Sequence, residues 1–212
     1  MSYITITNLS KKIKNKDILI DINLNLDKGN IYGFLGRNGS GKTMLFRSIC
    51  GLIRPTSGEI IVDNKHLNED YSFPESLGVL IEAPGFWNEY TGYENLKILA
   101  SIKNKISRSE IEEAMERVGL SPKDDRIYKK YSLGMKQKLG IAQAIMEKPD
   151  LIILDEPTNS LDEESVSMVR NILLEEKKRG ATILIASHNK EDISMLADEV
   201  YKIDNGRIVS RS

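Results

Sequence analysis

The chain has 212 residues, of which 40% are hydrophobic and 29% are charged. This length predicts one domain, since domains typically hold about 100–200 residues, and the apolar fraction is sufficient for a sizeable core. The 30 basic and 31 acidic residues give a net charge of −1, which argues against nucleic-acid binding through bulk electrostatics. A single cysteine, Cys50, excludes an intrachain disulfide, and no apolar run approaches the roughly 20 residues of a membrane-spanning helix.

The first third of the chain predicts β-strands. Apolar and polar residues alternate over 4–6 and, less regularly, over 18–26, and a further strand is predicted over 59–62. Such alternation is typical of antiparallel strands that bury one face. We therefore expect an antiparallel β region near the N-terminus.

Residues 36–43, with the sequence GRNGSGKT, fit the P-loop pattern G-x-x-x-x-G-K-[ST]. The apolar run 31–35 precedes them and a helix-like run, 44–52, follows, which is the strand–loop–helix context that the motif requires. Backbone amides and the positive end of the helix would surround a polyphosphate, Lys42 would reach its outer phosphates, and the Thr43 hydroxyl would bind Mg²⁺. A glycine-rich turn that matches by chance is the alternative. The residues predicted to bind nucleotide here are Asn38, Gly39, Ser40, Gly41, Lys42, Thr43 and Met44.

The middle of the chain, from about 93 to 147, predicts helices. One helix is expected around 109–115, with Ser107 or Ser109 as its N-cap. The last third alternates short apolar runs with helical ones.

Two strands are predicted over 151–154 and 182–186, with an amphipathic helix over 163–179 between them. Short apolar strands separated by helices favour a parallel sheet that is covered on both faces. The sequence DNGR at 204–207, between two apolar segments, predicts a terminal hairpin. The fold class is therefore α/β, with the helical middle inserted into an α/β core.

Acidic and imidazole side chains follow both of these predicted strands. Asp155 and Glu156 come directly after 151–154, and His188 follows 182–186. Ligands bind at the carboxyl ends of strands in open α/β sheets, so Asp155 would hold Mg²⁺ through water and Glu156 would polarise a water for attack on a γ-phosphate. His188 would contact that phosphate and orient the water. The alternatives are two exposed carboxylates in a turn and a structural histidine.

Together these motifs resemble those of the ATP-binding subunit of an ABC transporter, and the resemblance extends from Tyr3 to the terminal hairpin. Residues 36–43 resemble Walker A, residues 151–156 resemble Walker B with its catalytic glutamate, residues 160–162 resemble the D-loop, and His188 resembles the switch histidine.

The resemblance implies a P-loop NTPase fold with a mixed or parallel sheet core, an N-terminal antiparallel β region and an inserted helical subdomain. The chain would then be a single ABC ATPase domain, 1–212. Its α/β core would comprise 1–85 and 149–212, and its helical subdomain would comprise about 86–148.

Residues 131–139 resemble the family's signature sequence, which opens a helix. Ser132 is a natural N-cap for a helix that runs towards Glu147, and with the small residue Gly134 it forms a potential anion site. The resemblance implies a head-to-tail dimer in which Ser132 and Gly134 of one protomer close over the ATP of the other, with Asp162 at the dimer seam. An ordinary capped helix is the alternative.

Two departures from the family pattern bear on these roles. Leu133 and Met135 replace Gly and Gln in the signature, which would reshape the closed dimer while leaving phosphate binding intact. Glu82 occupies the place of a glutamine that ligates Mg²⁺ and senses the membrane partner. A carboxylate oxygen suits the same cation, so Glu82 is expected to act in metal binding and catalysis, and Glu82→Gln is expected to lessen the Mg²⁺ dependence of nucleotide binding. The alternative is a solvated loop carboxylate.

In the family an aromatic residue of the N-terminal β region stacks on adenine, and Ile13 occupies the matching position here, either against the base or in the core. Loss of stacking would weaken ATP binding, and the alternative is that Tyr3 or another aromatic residue takes over the role. Phe86 and Trp87 lie just beyond Glu82 and are either a docking surface for a permease or packing within the helical subdomain.

The resemblance implies an ATPase that binds ATP and Mg²⁺, dimerises on ATP and drives a separate integral-membrane permease from the cytoplasmic face of the cell membrane. The dimer would be homomeric or pseudo-symmetric, and no nucleic acid is expected as a partner. The Glu-for-Gln exchange and the sequence YSLGM are similar to the branch with bacitracin exporters and lantibiotic self-protection ATPases, which implies export of an antimicrobial peptide. The alternatives are a soluble ABC ATPase acting on ribosomes or DNA, a transporter subunit for another cargo, and a non-catalytic binding module.

Overall fold

The computed structural model describes residues 2–67, 69–70 and 72–212, and two β-sheets contain the strands within these ranges. One sheet is antiparallel, with the strand order β2-β1-β4-β5. Its strands are β1 (Ser2–Ile13), β2 (Lys16–Asp27), β4 (Ser57–Val62) and β5 (Lys65–His66). The antiparallel region predicted from the alternating pattern near the N-terminus is confirmed.

The other sheet has the order β10-β9-β3-β8-β7-β6, and every neighbouring pair in it is parallel except β9 with β10. Its strands are β3 (Ile31–Leu35), β6 (Leu77–Leu80), β7 (Leu151–Asp155), β8 (Thr182–Ser187), β9 (Glu199–Asp204) and β10 (Arg207–Arg211). The predicted terminal hairpin is therefore formed by β9 and β10 and lies at one edge of the sheet. This mixed sheet, covered by helices, is the predicted α/β architecture.

The helices of the described ranges include three that lie along the chain between β6 and β7. The helices are α1 (Lys42–Ile49), α2 (Gly92–Lys103), α3 (Arg108–Arg117), α4 (Leu133–Ile145), α5 (Glu163–Lys178) and α6 (Lys190–Ser194), with a 3₁₀ turn at Tyr128–Lys130. Within those ranges, none of the helices has the length and apolar character needed to cross a membrane.

Strand β7 is buried on both faces, and its alternate side chains enter two different hydrophobic clusters. Leu151 and Ile153 pack with α1 and the antiparallel sheet, whereas Ile152 and Leu154 pack with α2 to α5. A fully buried Leu or Ile side chain contributes about 1.5–3 kcal/mol relative to an exposed one. The uninterrupted apolar run in the sequence thus fixes the strand between two layers. The polar residues that follow it, Asp155 and Glu156, lie at the carboxyl end of the strand.

Helix α1 is shorter than the sequence predicts, since it ends at Ile49 rather than near Leu52. Gly51 has a φ of +78°, a left-handed conformation that ends helices and favours glycine. A Cβ at Gly51 would lie 2.0 Å from the carbonyl oxygen of Ser72, so the chain requires glycine at this turn.

The predicted N-caps of the inserted helices are confirmed. At α3 the cap is Ser107, and its partner Glu110 completes a capping box. At α4 the Ser132 hydroxyl accepts a hydrogen bond from the Met135 amide at 3.1 Å. Each cap satisfies amides that the first helical turn leaves without a partner.

Cys50 is a buried free cysteine at the end of α1, and burial raises the pKa of its thiol to about 12. The reactive species of cysteine is the thiolate, so we expect no reaction with Ellman's reagent in the native protein at pH 8. Unfolding in guanidinium chloride is expected to release one reactive thiol per chain. Rapid native labelling would show that α1 opens readily.

Candidate active site

The carboxyl ends of four adjacent strands bring the predicted site residues to one edge of the parallel sheet. The P-loop follows β3, His188 follows β8, Asp155 ends β7, and Glu82 lies two residues beyond β6. A cleft of about 950 Å³ opens at this edge, which is ample for a nucleotide. The predicted residues that line it are Asn38, Gly39, Ser40, Gly41, Lys42, Thr43, Met44, Glu82, Asp155 and Glu156.

The N-terminus of α1 points its backbone amides at this cleft. Gly41 is the N-cap residue with a φ of +116°, and no side chain caps the helix. The first amides of a helix carry no intrahelical partner and lie at the positive end of its dipole. Together they form the anion-binding end that a P-loop presents to phosphate.

Lys42 is only 5% exposed and its ammonium lies under the loop. Its Nζ donates to the carbonyl oxygen of Gly36 at 2.6 Å and lies 3.7 Å from Oε1 of Glu156. The Ser40 hydroxyl is buried and has no hydrogen-bond partner among the described residues. A buried polar atom of this kind normally has a partner, so the loop fits a ligand with oxygen acceptors such as a polyphosphate.

Asp155 and Thr43 form a polar pair on the floor of the cleft, where the Thr43 hydroxyl donates to Oδ2 of Asp155 at 2.5 Å. Burial raises the pKa of Asp155, and the neighbouring negative charges of Glu156 and Glu82 raise it further, whereas Thr43 and Lys42 oppose the shift. A cation bound beside this carboxylate would favour its ionised form.

The donor set suits Mg²⁺ rather than a metal held entirely by protein. No group of three His, Cys, Asp or Glu side chains within the described ranges is placed to hold a metal ion. Mg²⁺ is usually bound through one or two carboxylates together with phosphate oxygens and waters. A threonine hydroxyl and a carboxylate beside the phosphate loop are consistent with that mode.

Glu156 and His188 are held together across the ends of β7 and β8. Nδ1 of His188 donates to Oε2 of Glu156 at 2.9 Å, and the Glu156 amide donates to the Ala186 carbonyl at 2.8 Å. Glu156 has a φ of +51°, which is costly for a residue with a side chain. Such strain is kept where the surrounding contacts impose it, and here they direct a carboxylate to the position between Lys42 and His188.

Glu82 follows β6 in the same way that Glu156 follows the neighbouring strand β7. Leu80 of β6 pairs with Leu154 of β7, and each glutamate lies two residues further on with a positive φ, +61° at Glu82. Glu82 is half exposed, and its Oε1 lies 2.9 Å from Nη2 of Arg47 on α1. The structure therefore places Glu82 at the rim of the cleft in an ion pair.

Ser132, Gly134, Asp162, His188 and Ile13 do not line the cleft within the described part of the chain. Ser132 caps α4 at its exposed end. A Cβ at Gly134 would lie 3.0 Å from the carbonyl oxygen of Ser160, and Asp162 caps α5 by accepting from the Ser165 amide at 2.9 Å. The signature segment and the D-loop segment are thus in contact within one chain.

Ile13 is 38% exposed at the end of β1, so the alternative that it belongs to the core is wrong. Ile18 and Lys16 of β2 line the cleft instead. Phe86 lines the cleft and packs edge-on against the ring of Tyr128, whereas Trp87 remains 45% exposed. Phe86 therefore packs within the chain, whereas the role of Trp87 in a docking surface for a permease stays a prediction.

Gln137 is a site residue to which the sequence analysis gave no role. From α4 its Nε2 donates to the carbonyl oxygen of Glu156 at 3.0 Å and to that of Pro157 at 3.1 Å. It fixes the strained backbone of Glu156 to the helix that Ser132 caps. Its position three residues after Gly134 was visible in the sequence, but its contact with a loop 19 residues away was not.

We expect Gln137→Ala to lower kcat for ATP hydrolysis by roughly tenfold while KM changes less than twofold, because two hydrogen bonds that hold Glu156 are lost. Steady-state phosphate release at varied ATP measures both constants. Gln143→Ala, on the same helix, is the matched control and is expected to behave as the parent. A rise in KM with unchanged kcat would show that Gln137 acts in binding.

A protein-family model described as "ABC transporter" matches residues 19–159. The chain belongs to the ABC transporter family. The matched span includes the P-loop, the signature segment and Glu156, and the chain is an ATP-binding subunit of this family, whose members hydrolyse ATP.

Curated relatives extend the similarity over nearly the whole chain. An uncharacterized ABC transporter ATP-binding protein, YybJ of Bacillus subtilis, is 50% identical over 97% of this chain and 94% of its own length. The bacitracin transport ATP-binding protein BcrA of Enterococcus faecalis is 42% identical over 99% of this chain and 69% of its own. The lantibiotic transport ATP-binding protein SrtF of Streptococcus pyogenes is 37% identical over 96% of this chain and 88% of its own.

Solved structures share the fold. An ATP-binding subunit of an ABC transporter superposes with a TM-score of 0.89 at 26% identity, covering 100% of this chain and 90% of that one. A dimeric ATP-binding cassette in a post-hydrolysis state bound to ADP and Pi has the same TM-score at 20% identity, covering 99% and 97%. The second likeness concerns the fold alone.

Proposed function

We propose that the site hydrolyses ATP with the residues that converge at the carboxyl edge of the parallel sheet. Lys42 and the amides of 38–43 bind the phosphates, and Glu156 accepts a proton from the attacking water. His188 orients Glu156 and stabilises the negative charge of the transition state. The observation that carries this proposal is the position of the Glu156 carboxylate, 3.7 Å from Nζ of Lys42 and 2.9 Å from Nδ1 of His188, next to an uncapped helix N-terminus.

Thr43, Asp155 and Glu82 would hold Mg²⁺ with the nucleotide. When bound, the cation neutralises charge on the phosphate oxygens. The protein holds the Thr43 hydroxyl and the Asp155 carboxylate next to each other and holds Glu82 at the rim of the cleft. Burial of Asp155 makes an unpaired negative charge there costly, which favours binding of a cation.

We also propose that the chain acts as a head-to-tail dimer. Ser132 and Gly134 lie outside the cleft of their own chain, where Ser132 is exposed at the start of α4. They would reach the ATP of a second protomer, with Asp162 near the seam. The exposed Leu133 would then pack in the interface, since 71% of its surface is accessible in the single chain. A solved cassette that shares this fold is dimeric, which supports the proposal of a dimer.

The dimer would drive a separate integral-membrane permease at the inner face of the cell membrane. As a proposal for its organisation, 1–85 and 149–212 form the catalytic core and about 86–148 form a helical subdomain within the single domain 1–212. The similarity to BcrA and SrtF supports an antimicrobial peptide as the exported cargo.

Affinity purification of the tagged protein from gently solubilised native membranes tests the assembly. The expected result is a multi-span permease recovered in a fixed ratio to the ATPase, with stimulated ATP hydrolysis in the complex. Recovery only from the soluble fraction, with ribosomal or DNA-repair proteins, would overturn the transporter assignment and leave the ATP chemistry intact.

Deletion of the gene tests the cargo. We expect increased sensitivity to bacitracin or to a lantibiotic, restored by the parent chain and not by its Glu156→Gln variant. Unchanged sensitivity to both classes, together with a permease partner, would indicate a different cargo.

A further inference from the structure

The ion pair between Arg47 and Glu82 joins α1 to the segment after β6. Nη2 of Arg47 lies 2.9 Å from Oε1 of Glu82, and the two side chains are 31% and 59% exposed. Arg47 follows Thr43 by four residues on α1, so both side chains lie on the same face of the helix. The pair therefore stands one helical turn from the hydroxyl that is proposed to bind Mg²⁺.

The charge of Glu82 also acts on the proposed metal site. It lines the same cleft as Thr43 and Asp155, and its negative charge contributes to the raised pKa of Asp155. Three carboxylates line this cleft, those of Glu82, Asp155 and Glu156. Without compensation, Glu82 would repel a triphosphate.

The positive charge of Arg47 compensates the negative charge of Glu82 through an ion pair that can be broken. A guanidinium binds a carboxylate through charge-assisted hydrogen bonds, whereas a neutral amide at position 82 would gain no ion pair. A partly exposed ion pair contributes little stability, so a divalent cation nearby can compete for the same oxygen.

We propose that Arg47 is a positioning residue that holds Glu82 beside the metal site and releases it when a divalent cation binds with the nucleotide. This inference rests on the proposed ATP and Mg²⁺ site. Arg47 masks the Glu82 charge in the absence of the cation, which permits metal-free nucleotide binding. In its presence Glu82 turns towards the cation, and Arg47 becomes available to solvent or to a partner.

Removal of Arg47 should widen the difference between metal-free and metal-bound affinities. Without Arg47, the Glu82 carboxylate repels the nucleotide when no cation is present. When a cation is present, it binds this carboxylate without competition from the guanidinium. The ratio of Kd in EDTA to Kd in Mg²⁺ is expected to rise roughly threefold to tenfold in Arg47→Ala, as expected for one exposed charge at close range. Arg47→Lys should keep the ratio near that of the parent, because it keeps the charge.

The experiment measures Kd for a fluorescent ATP analogue by anisotropy, with EDTA or with Mg²⁺. The proteins compared are the parent, Arg47→Ala, Arg47→Lys, Glu82→Gln and the double variant of Arg47→Ala with Glu82→Gln. Glu82→Gln should lower the ratio, and Arg47→Ala should have no further effect in that background. Arg54→Ala removes an exposed arginine just after α1 and is the control for net charge; its ratio should equal that of the parent.

An equal effect of Arg47→Ala with and without Glu82 would overturn the proposal, because Arg47 would then act on the phosphates directly. An unchanged ratio in Arg47→Ala would overturn it as well. Failure of the parent itself to bind the analogue would instead count against the proposed ATP site. Circular dichroism melting identifies any variant with a disrupted fold, and Arg47→Gln then replaces Arg47→Ala.

Discussion

The variant Glu156→Gln is expected to lose ATP hydrolysis by a factor of about 10²–10⁴, the usual contribution of general base catalysis. The amide keeps the shape of the side chain but accepts no proton from water. It also removes a negative charge 3.7 Å from Nζ of Lys42 and close to the phosphate loop, so ATP should bind at least as tightly as in the parent. Phosphate release and equilibrium ATP binding, measured on the same preparation, separate the two effects.

The same variant tests the proposed dimer. Since bound ATP is not consumed, the ATP-bound dimer should accumulate, and light scattering coupled to size exclusion should detect twice the monomer mass at saturating Mg-ATP. Glu113→Gln on the exposed face of α3 is the matched control and should hydrolyse ATP as the parent does. Parental turnover in Glu156→Gln would remove Glu156 from the mechanism. A variant that binds ATP and stays monomeric would contradict the dimer alone.

The parts of the site that the sequence predicted are those encoded locally. Residues 36–43 carry a turn, a helix start and a lysine in one continuous stretch, and 151–156 carry a buried strand followed by two carboxylates. Because parallel strands end at the same edge of a sheet, the convergence of Asp155, Glu156 and the P-loop followed from the position of each motif at the end of a predicted strand. Uninterrupted apolar runs therefore predicted the parallel strands, and the motifs that follow them predicted where the phosphate loop and the two carboxylates lie.

What sequence reasoning missed depends on contacts between distant segments. Gln137 binds the backbone of Glu156, and Arg47 pairs with Glu82, although neither pair has a spacing that belongs to one helix or strand. Ile13 illustrates another limit. The pairing of β1 with β2 shifts register between Leu9 and Lys11 and again before Lys12, and each shift changes which face a side chain occupies. Counting along the sequence therefore could not establish which residue faces a bound base.

Replacement of Lys42 by alanine is expected to weaken Mg-ATP binding by roughly 30-fold to several thousand-fold, since truncating one partner of a buried charge pair costs about 2–5 kcal/mol. Lys42 is buried, and its carbonyl partner in the loop, Gly36, remains in place to hold the loop's shape. The loss should therefore appear in ATP affinity more than in the melting temperature. Isothermal titration calorimetry and thermal melting measure these two quantities.

Lys97→Ala, at an exposed position on α2, is the control for loss of one positive charge and should leave ATP affinity unchanged. Lys42→Arg keeps the charge but replaces a compact ammonium with a planar guanidinium that needs more room than the buried site offers, so it should recover only part of the affinity. If Lys42→Ala bound Mg-ATP as tightly as the parent, the loop would hold phosphate through its amides alone. Comparison of the three variants thus separates the charge of Lys42 from the contribution of the helix N-terminus.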